Sequence, residues 1–294
     1  MSRNRRECDR ALIDTLCYRG IFSYPMSFYQ LSSYLICKKP IPPSVLKETL
    51  RKMVKSQKIE VKNGRYSLKG RPTINWKERE RTTKEVLEKN YFVFSLLAKI
   101  PWLTLLAVTG TAAAYNAAQG DDVDIFIVSK HARLWLTRFF TVLILKTCNK
   151  YRTEKNPQDK ICPNIFLDEH VMAWDKSKRN LYIAHEVVMM SPVINKNNAY
   201  FKFIDENRWA FEFFGNLPPA EKVRYEILKP KSSAVNLLEK LLMRFQIWYM
   251  AQKITTEEIT ENLIHFNKGD HTQFVLKKYE EIRGLQKGRR FKGV

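Results

Sequence analysis

The sequence predicts an α+β chain: three helices and a hairpin, then a central mixed sheet with helices, then a C-terminal helical segment. Three observations carry this reading. Asn63-Gly64 sits between alternating residues, the strongest short hairpin signal, directly after three helical segments. Two apolar runs of strand length, Leu103 to Val108 and Val123 to Val128, are separated by a Gly-Thr turn and an Ala-rich stretch. From Ser233 onward the apolar positions return at helical spacing. The chain divides on this basis into residues 1–70, a connecting helix over 71–100, a core over 101–217 and a C-terminal region over 218–294 with a basic tail.

In order, Ala11 to Tyr18 is helical through Leu12, Leu16 and Cys17, and Ser27 caps a second helix over Phe28 to Ile36. After Pro40, Pro42 and Pro43, Ser44 is expected to cap a third helix with Val45, Leu50 and Met53 inward. The hairpin Ile59–Leu68 completes a winged helix-turn-helix layout. Lys47, Arg51, Lys52 and Lys55 fall on the polar side of the third helix, with Lys62 and Arg65 on the wing, a geometry suited to nucleic acid. A protein-docking role for such a module is the competing reading.

Val86, Leu87, Tyr91, Phe94 and Leu97 give the connecting helix an apolar stripe, and Pro101 ends it. Thr111 to Ala118 is expected as the first core helix, and Lys130, Arg133 and Arg138 open the next, which runs to about Lys150. Ile165 to Asp168 is a short strand ending in acid, and Arg179 to Met190 a helix closed by Pro192. His185 on that helix reads as a packed residue. The aromatics of residues 199–214 read as core. Ser233 to Lys253, Glu257 to His265 and Gln273 to Arg283 are expected as helices.

The net charge of +21 and pI near 9.7 favour polyanionic partners. Residues 1–70 carry 15 Lys/Arg against 5 Asp/Glu, and residues 221–294 carry 15 against 9, so the excess lies largely outside the core. Five scattered cysteines without a C-x-x-C pair encode neither a disulfide framework nor a zinc site. The charged start MSRNRRECDR has no apolar run behind it, and Lys99 and Pro101 interrupt the most apolar stretch. A cytoplasmic protein without a membrane partner is expected.

The chemistry-bearing feature is LLAVTGTAAAYNAAQGDDVDIFIV, which ends in two carboxylates on a strand. Residues two apart on a strand share a face, so Asp122 and Asp124 stand together while Val123, Ile125 and Ile127 enter a core. Such a pair suits a hard divalent cation, and Mg²⁺ binds one or two carboxylates plus substrate phosphates. Gly110 and Thr111 form the turn before a helix, where backbone N–H groups and a hydroxyl meet anions.

A hydrophobic strand, Gly-Thr, an intervening stretch, then Asp-Val-Asp-Ile resembles the DNA polymerase beta-like nucleotidyltransferase superfamily. The motif spans residues 104–128. The order of segments is similar to bacterial and archaeal nucleotidyltransferases with an N-terminal winged helix. The resemblance implies a nucleotidyltransferase-type core that moves an NMP from an NTP to an acceptor hydroxyl. It also implies Mg²⁺ or Mn²⁺ on Asp122 and Asp124, and NTP phosphates on Gly110 and Thr111. A third carboxylate is implied on a later strand, with Asp168 the best candidate and Glu169 behind it. Many members carry a basic residue three positions after the turn hydroxyl; here it is Ala114, so Lys130 or Arg133 is expected to meet the triphosphate. Three functions stay open: a transferase acting on or near nucleic acid, one acting on a small molecule or protein, and a DNA-binding regulator with a nucleotide-sensing or inactive transferase fold.

Overall fold

The computed structural model describes residues 3–218, 233–251, 257–266 and 271–290. Helix α1 (Arg3–Ile21), α2 (Phe28–Ser33) and α3 (Pro43–Lys55) precede the hairpin β1 (Ile59–Lys62) and β2 (Arg65–Leu68). Ser27 forms the expected cap: its hydroxyl accepts from Gln30 N while the Gln30 side chain returns to Ser27 N. Ser44 does not cap α3. Pro42 is the N-cap and Pro43 the first helical residue, because proline's fixed φ suits that place and its missing N–H would be unpaired there anyway. Asn63 at φ 49° and Gly64 at φ 73° make the tight turn, closing the register at Lys62 opposite Arg65.

Asn75 caps α4 (Trp76–Leu97), accepting from Glu78 N. Its stripe differs from expectation at one turn. Tyr91 is 73% exposed, while Asn90 is buried and donates to Val86 O. The helical period places residue 90, not 91, on the line through Val86, Val93, Phe94 and Leu97.

Six strands form one mixed sheet: β6 (Ser191–Asn195), β3 (Leu103–Val108), β4 (Val123–Ser129), β5 (Ile161–Asp168), β8 (Leu263–His265) and β7 (Glu258–Ile259), in that spatial order. Only β4 and β5 pair in parallel, with Asp124 opposite Cys162 and Ser129 opposite Asp168. Alternation along β4 splits the core in two. Val123, Ile125 and Ile127 join Phe94, Trp135, Leu145 and Met250 on one face. Phe126 and Val128 join Ile183, Val187, Phe203 and Phe214 on the other. The first face is covered by α4, α6 (Leu134–Thr147) and α9 (Ser233–Ala251), the second by α7 (Leu181–Met189) and α8 (Ala199–Glu206).

Three expectations change. The first core helix shrinks to α5 (Gly110–Ala113), a single turn that stops where Tyr115 takes φ 53°. The stretch 257–265, expected as a helix, gives β7 and β8 instead, since Ile264 is buried in the sheet core while its neighbours are half-exposed. Pro192 ends α7 but also enters edge strand β6, where a missing N–H is tolerated. The C-terminal segment is therefore not wholly helical. Helix α10 (His271–Arg290) runs through most of the basic tail and packs Val275, Tyr279 and Ile282 into the core of the N-terminal helices. The boundary expected at Pro218-Pro219 falls at the edge of the described residues, with Pro219 outside them. Among the described residues no helix is long and apolar enough to cross a membrane.

Candidate active site

Strand β3 delivers Thr109, whose N–H donates to Asp124 O, and the chain then turns at Gly110 with φ 62°. A Cβ at Gly110 would sit 3.0 Å from Asp124 Oδ2, so the left-handed φ favours glycine and any larger residue would crowd the carboxylate. The return to β4 is braced by Asp121, whose Oδ2 accepts from Ala118 N at 2.7 Å. Asp121 thus serves the loop, leaving Asp122 and Asp124 to face outward on the Phe126 side of the sheet.

Register supplies a third group. Cys162, across the parallel β4–β5 pair, brings its Sγ within 4.8 Å of ligand oxygens of Asp122 and Asp124. Arg152 Nε forms an ion pair with Asp122 Oδ2 at 2.9 Å. Burial, and then the charge of Asp122, push the Asp124 carboxyl up to about 6, against the opposing Cys162 thiol and Arg152. Burial beside the two carboxylates pushes the Cys162 thiol up as well. From α7, Glu186 Oε2 accepts from Gly110 N at 3.4 Å. Burial raises its carboxyl to about 7, with Asp124 adding to the rise.

These groups line one cavity of about 1590 Å³, together with Thr111, Tyr151, Tyr182 and Arg138. Two carboxylates held close without full compensation fit one hard cation. The third donor, a thiol, departs from an all-oxygen set.

Gly110, Thr111, Asp122 and Asp124 therefore come together as expected, and four other expected residues do not. Asp168 lies at the opposite end of the sheet strands, about 17 Å of strand from Asp124. It is fully buried and accepts from Ala132 N, His170 N and His131 Nδ1 at 2.6, 2.9 and 3.2 Å, so it pins a loop. Glu169 does similar work, accepting from His131 N. Lys130 follows that far end and is exposed. Arg133 is buried there, with its Nη2 on Asn236 Oδ1 at 2.7 Å. Strand direction explains all four: residues after β4 leave the sheet at the end away from the carboxylates.

Glu186, Arg152 and Cys162 are the cavity residues that sequence spacing missed. Cys162 was recoverable only from the parallel register, and Glu186 only once α7 packed over the turn.

On α3, Lys47, Arg51, Lys52 and Lys55 are exposed, opposite the buried Leu46, Leu50 and Met53. Lys52 pairs with Glu48, and Lys62 lies 3.6 Å from Glu60. Arg65, in hairpin strand β2, is not a free cation. It bonds Glu80 at 2.6 Å and Gln30, and its guanidinium stacks 4.0 Å over Trp76.

Comparison of the chain with known families, with characterised proteins and with solved structures finds no match.

Proposed function

We propose that this protein is a divalent-cation-dependent nucleotidyltransferase, moving an NMP from an NTP to an acceptor hydroxyl. The observation that carries the reading is the placement of Asp122 and Asp124 side by side in a large cavity beside the Gly110 turn. Asp122 and Asp124 would hold the cation, Mg²⁺ or Mn²⁺, which when bound supplies neutralising charge for the triphosphate. Gly110 and Thr111 offer close backbone approach and a hydroxyl to phosphate oxygens. The acceptor oxygen forms a bond to the α-phosphorus as the bond to pyrophosphate breaks, and the electron pair leaves with pyrophosphate. The hydroxyl proton passes to a carboxylate of the cluster. Arg152 also lines the cavity, paired with Asp122. Catalysis on this scheme is positioning plus electrostatics.

The test is incubation with each labelled NTP, Mg²⁺ or Mn²⁺ and mixed acceptors. Wild type is expected to transfer label, and the double variant Asp122→Asn/Asp124→Asn to lose it while melting normally. Label transfer surviving the double change would overturn the assignment.

A second reading, a nucleotide-sensing DNA-binding regulator, is favoured by two features. The Gly110 N–H already holds a carboxylate, and a thiol stands where a third acid is expected. The exposed cations of α3 serve either reading, as a nucleic-acid contact.

A further inference from the structure

Arg138 is a buried cation that the reading so far leaves without a role. It sits on α6, 7% exposed, and lines the same cavity as the carboxylates. Its Nη1 donates to Gln246 Oε1 and its Nη2 to Met250 Sδ at 2.9 Å. Gln246 is fixed in turn, because its Nε2 donates to Trp135 O at 2.9 Å. The Phe266 ring lies 5.4 Å from the guanidinium. Among the described residues Nε has no partner, and no carboxylate is paired with the guanidinium.

A guanidinium taken out of water against an amide, a thioether and a ring keeps its charge uncompensated. Burial lowers its proton affinity, and the nearby ionisable groups acting on it are the phenols of Tyr151 and Tyr249 rather than acids. Arg152, by contrast, is spent on Asp122. The cavity is therefore lined both by the acid pair, on the Phe126 side of the sheet, and by a guanidinium from α6 whose Nη atoms meet only neutral acceptors. Leu143, Phe245 and Tyr249, roughly half exposed, also line it and give an apolar rim.

We infer that the Arg138 end of the cavity is the acceptor subsite, and that it takes a small acidic molecule with an apolar body. The acceptor's carboxylate or phosphate sits on the Arg138 guanidinium, its body runs along Leu143, Phe245 and Tyr249, and its hydroxyl points toward Asp122 and Asp124. The oxyanion site stands on Arg138 alone; its assignment to the acceptor rests on the transferase reading. A guanidinium matches carboxylate and phosphate alike, so both chemistries are probed.

The experiment is calorimetric titration in EDTA with 4-hydroxybenzoate and with inorganic phosphate, then in Mg²⁺ with ATP. Wild type is expected to bind both anions competitively. Arg138→Gln is expected to weaken both by about tenfold or more, the value of a lost charge-assisted pair, and Arg138→Lys by less. Asp122→Asn/Asp124→Asn is expected to leave the anions bound and to lose Mg-ATP, with Arg138→Gln showing the reverse. Phe245→Ser, at a half-exposed position, should weaken hydroxybenzoate severalfold and leave phosphate unchanged.

Failure of wild type to bind either anion, or binding unaffected by Arg138→Gln, overturns the site. Loss of Mg-ATP in Arg138→Gln gives the cation to the nucleotide and overturns the acceptor assignment. Were Arg138→Gln unfolded, Arg138→Lys and Phe245→Ser would decide, and no change in either would sink the inference. Anion binding without any Mg-ATP binding would leave the oxyanion site standing while the transferase reading fails.

Discussion

His185 illustrates what a single residue contributes beneath the site. It stacks on Tyr18 with ring centroids 3.8 Å apart, packs edge-on against Phe214, and its Nδ1 donates to Leu181 O at 3.0 Å. The imidazole thus joins α7, which carries Glu186, to α1. Burial drives its proton affinity down to about 3, so the native ring is neutral. Above the unfolded value of about 6.5 both states are neutral and its full contribution is present. Below it the unfolded chain binds a proton that the native state refuses. Stability is then lost at about 1.4 kcal/mol per pH unit down to about pH 3. Asp124 and Glu186, whose carboxyls are raised, act in the opposite sense. The difference between wild type and His185→Phe isolates the imidazole: urea midpoints from pH 4 to 8 should converge near neutrality and favour the variant at acid pH. Among the described residues its Nε2 has no partner to lose. That His185 is packed was legible from its place on an apolar helix face. Glu186 beside it was not, because its partner Gly110 lies 76 positions away and only tertiary packing joins them.

Elements differ in how far local sequence decides them. Strands β3 and β4 were legible because each is a continuous apolar run, and the hairpin because Asn-Gly prefers the left-handed conformations its turn requires. Strands β6, β7 and β8 were not, being five, two and three residues long on or near the edge of the sheet. At that length alternation has no statistical weight, and pairing with a distant strand makes the element. Helix α3 separates the two kinds of information cleanly: its apolar face was legible, its start was set by Pro42-Pro43 instead of Ser44. Its outer face yields a prediction. Lys47→Glu/Arg51→Glu/Lys55→Glu leaves the buried Leu46, Leu50 and Met53 untouched, so the melting temperature should hold. If α3 meets nucleic acid, filter binding across a salt series should show weaker duplex affinity and a log–log slope flatter by about 3. An unchanged slope would remove α3 from any interface. The β1–β2 hairpin next to it is held against α4 by Arg65 on Glu80 and Trp76.

At the scale of the molecule, the linear order of segments misleads most. Residues 218–294 read as one C-terminal region, yet they serve two places. Helix α9 packs on α6, where Glu239 accepts from Trp135 N and Leu136 N at 2.7 and 2.9 Å and Gln246 orients Arg138. Helix α10 crosses to the N-terminal helices, with Arg283 paired to Asp14 at 2.8 and 3.1 Å. Tyr279 is buried there against Tyr18, which also touches His185. No sequence pattern shows this, since helical periodicity reports an apolar face but not what covers it. Tyr279→Ala should therefore cost about 3–5 kcal/mol in a denaturant titration and loosen the N-terminal core first. Hydrogen exchange would register that as lost protection in α1 before the sheet strands; protection lost equally everywhere would argue against the α10 clasp.

That clasp also bears on how the protein is made. Helix α1 closes its core with Val275, Tyr279 and Ile282, residues that leave the ribosome about 250 positions later. At roughly 5–20 residues per second, the first helices wait some tens of seconds for the surface that covers them. Helix α1 is thus made well before the helix that completes its core.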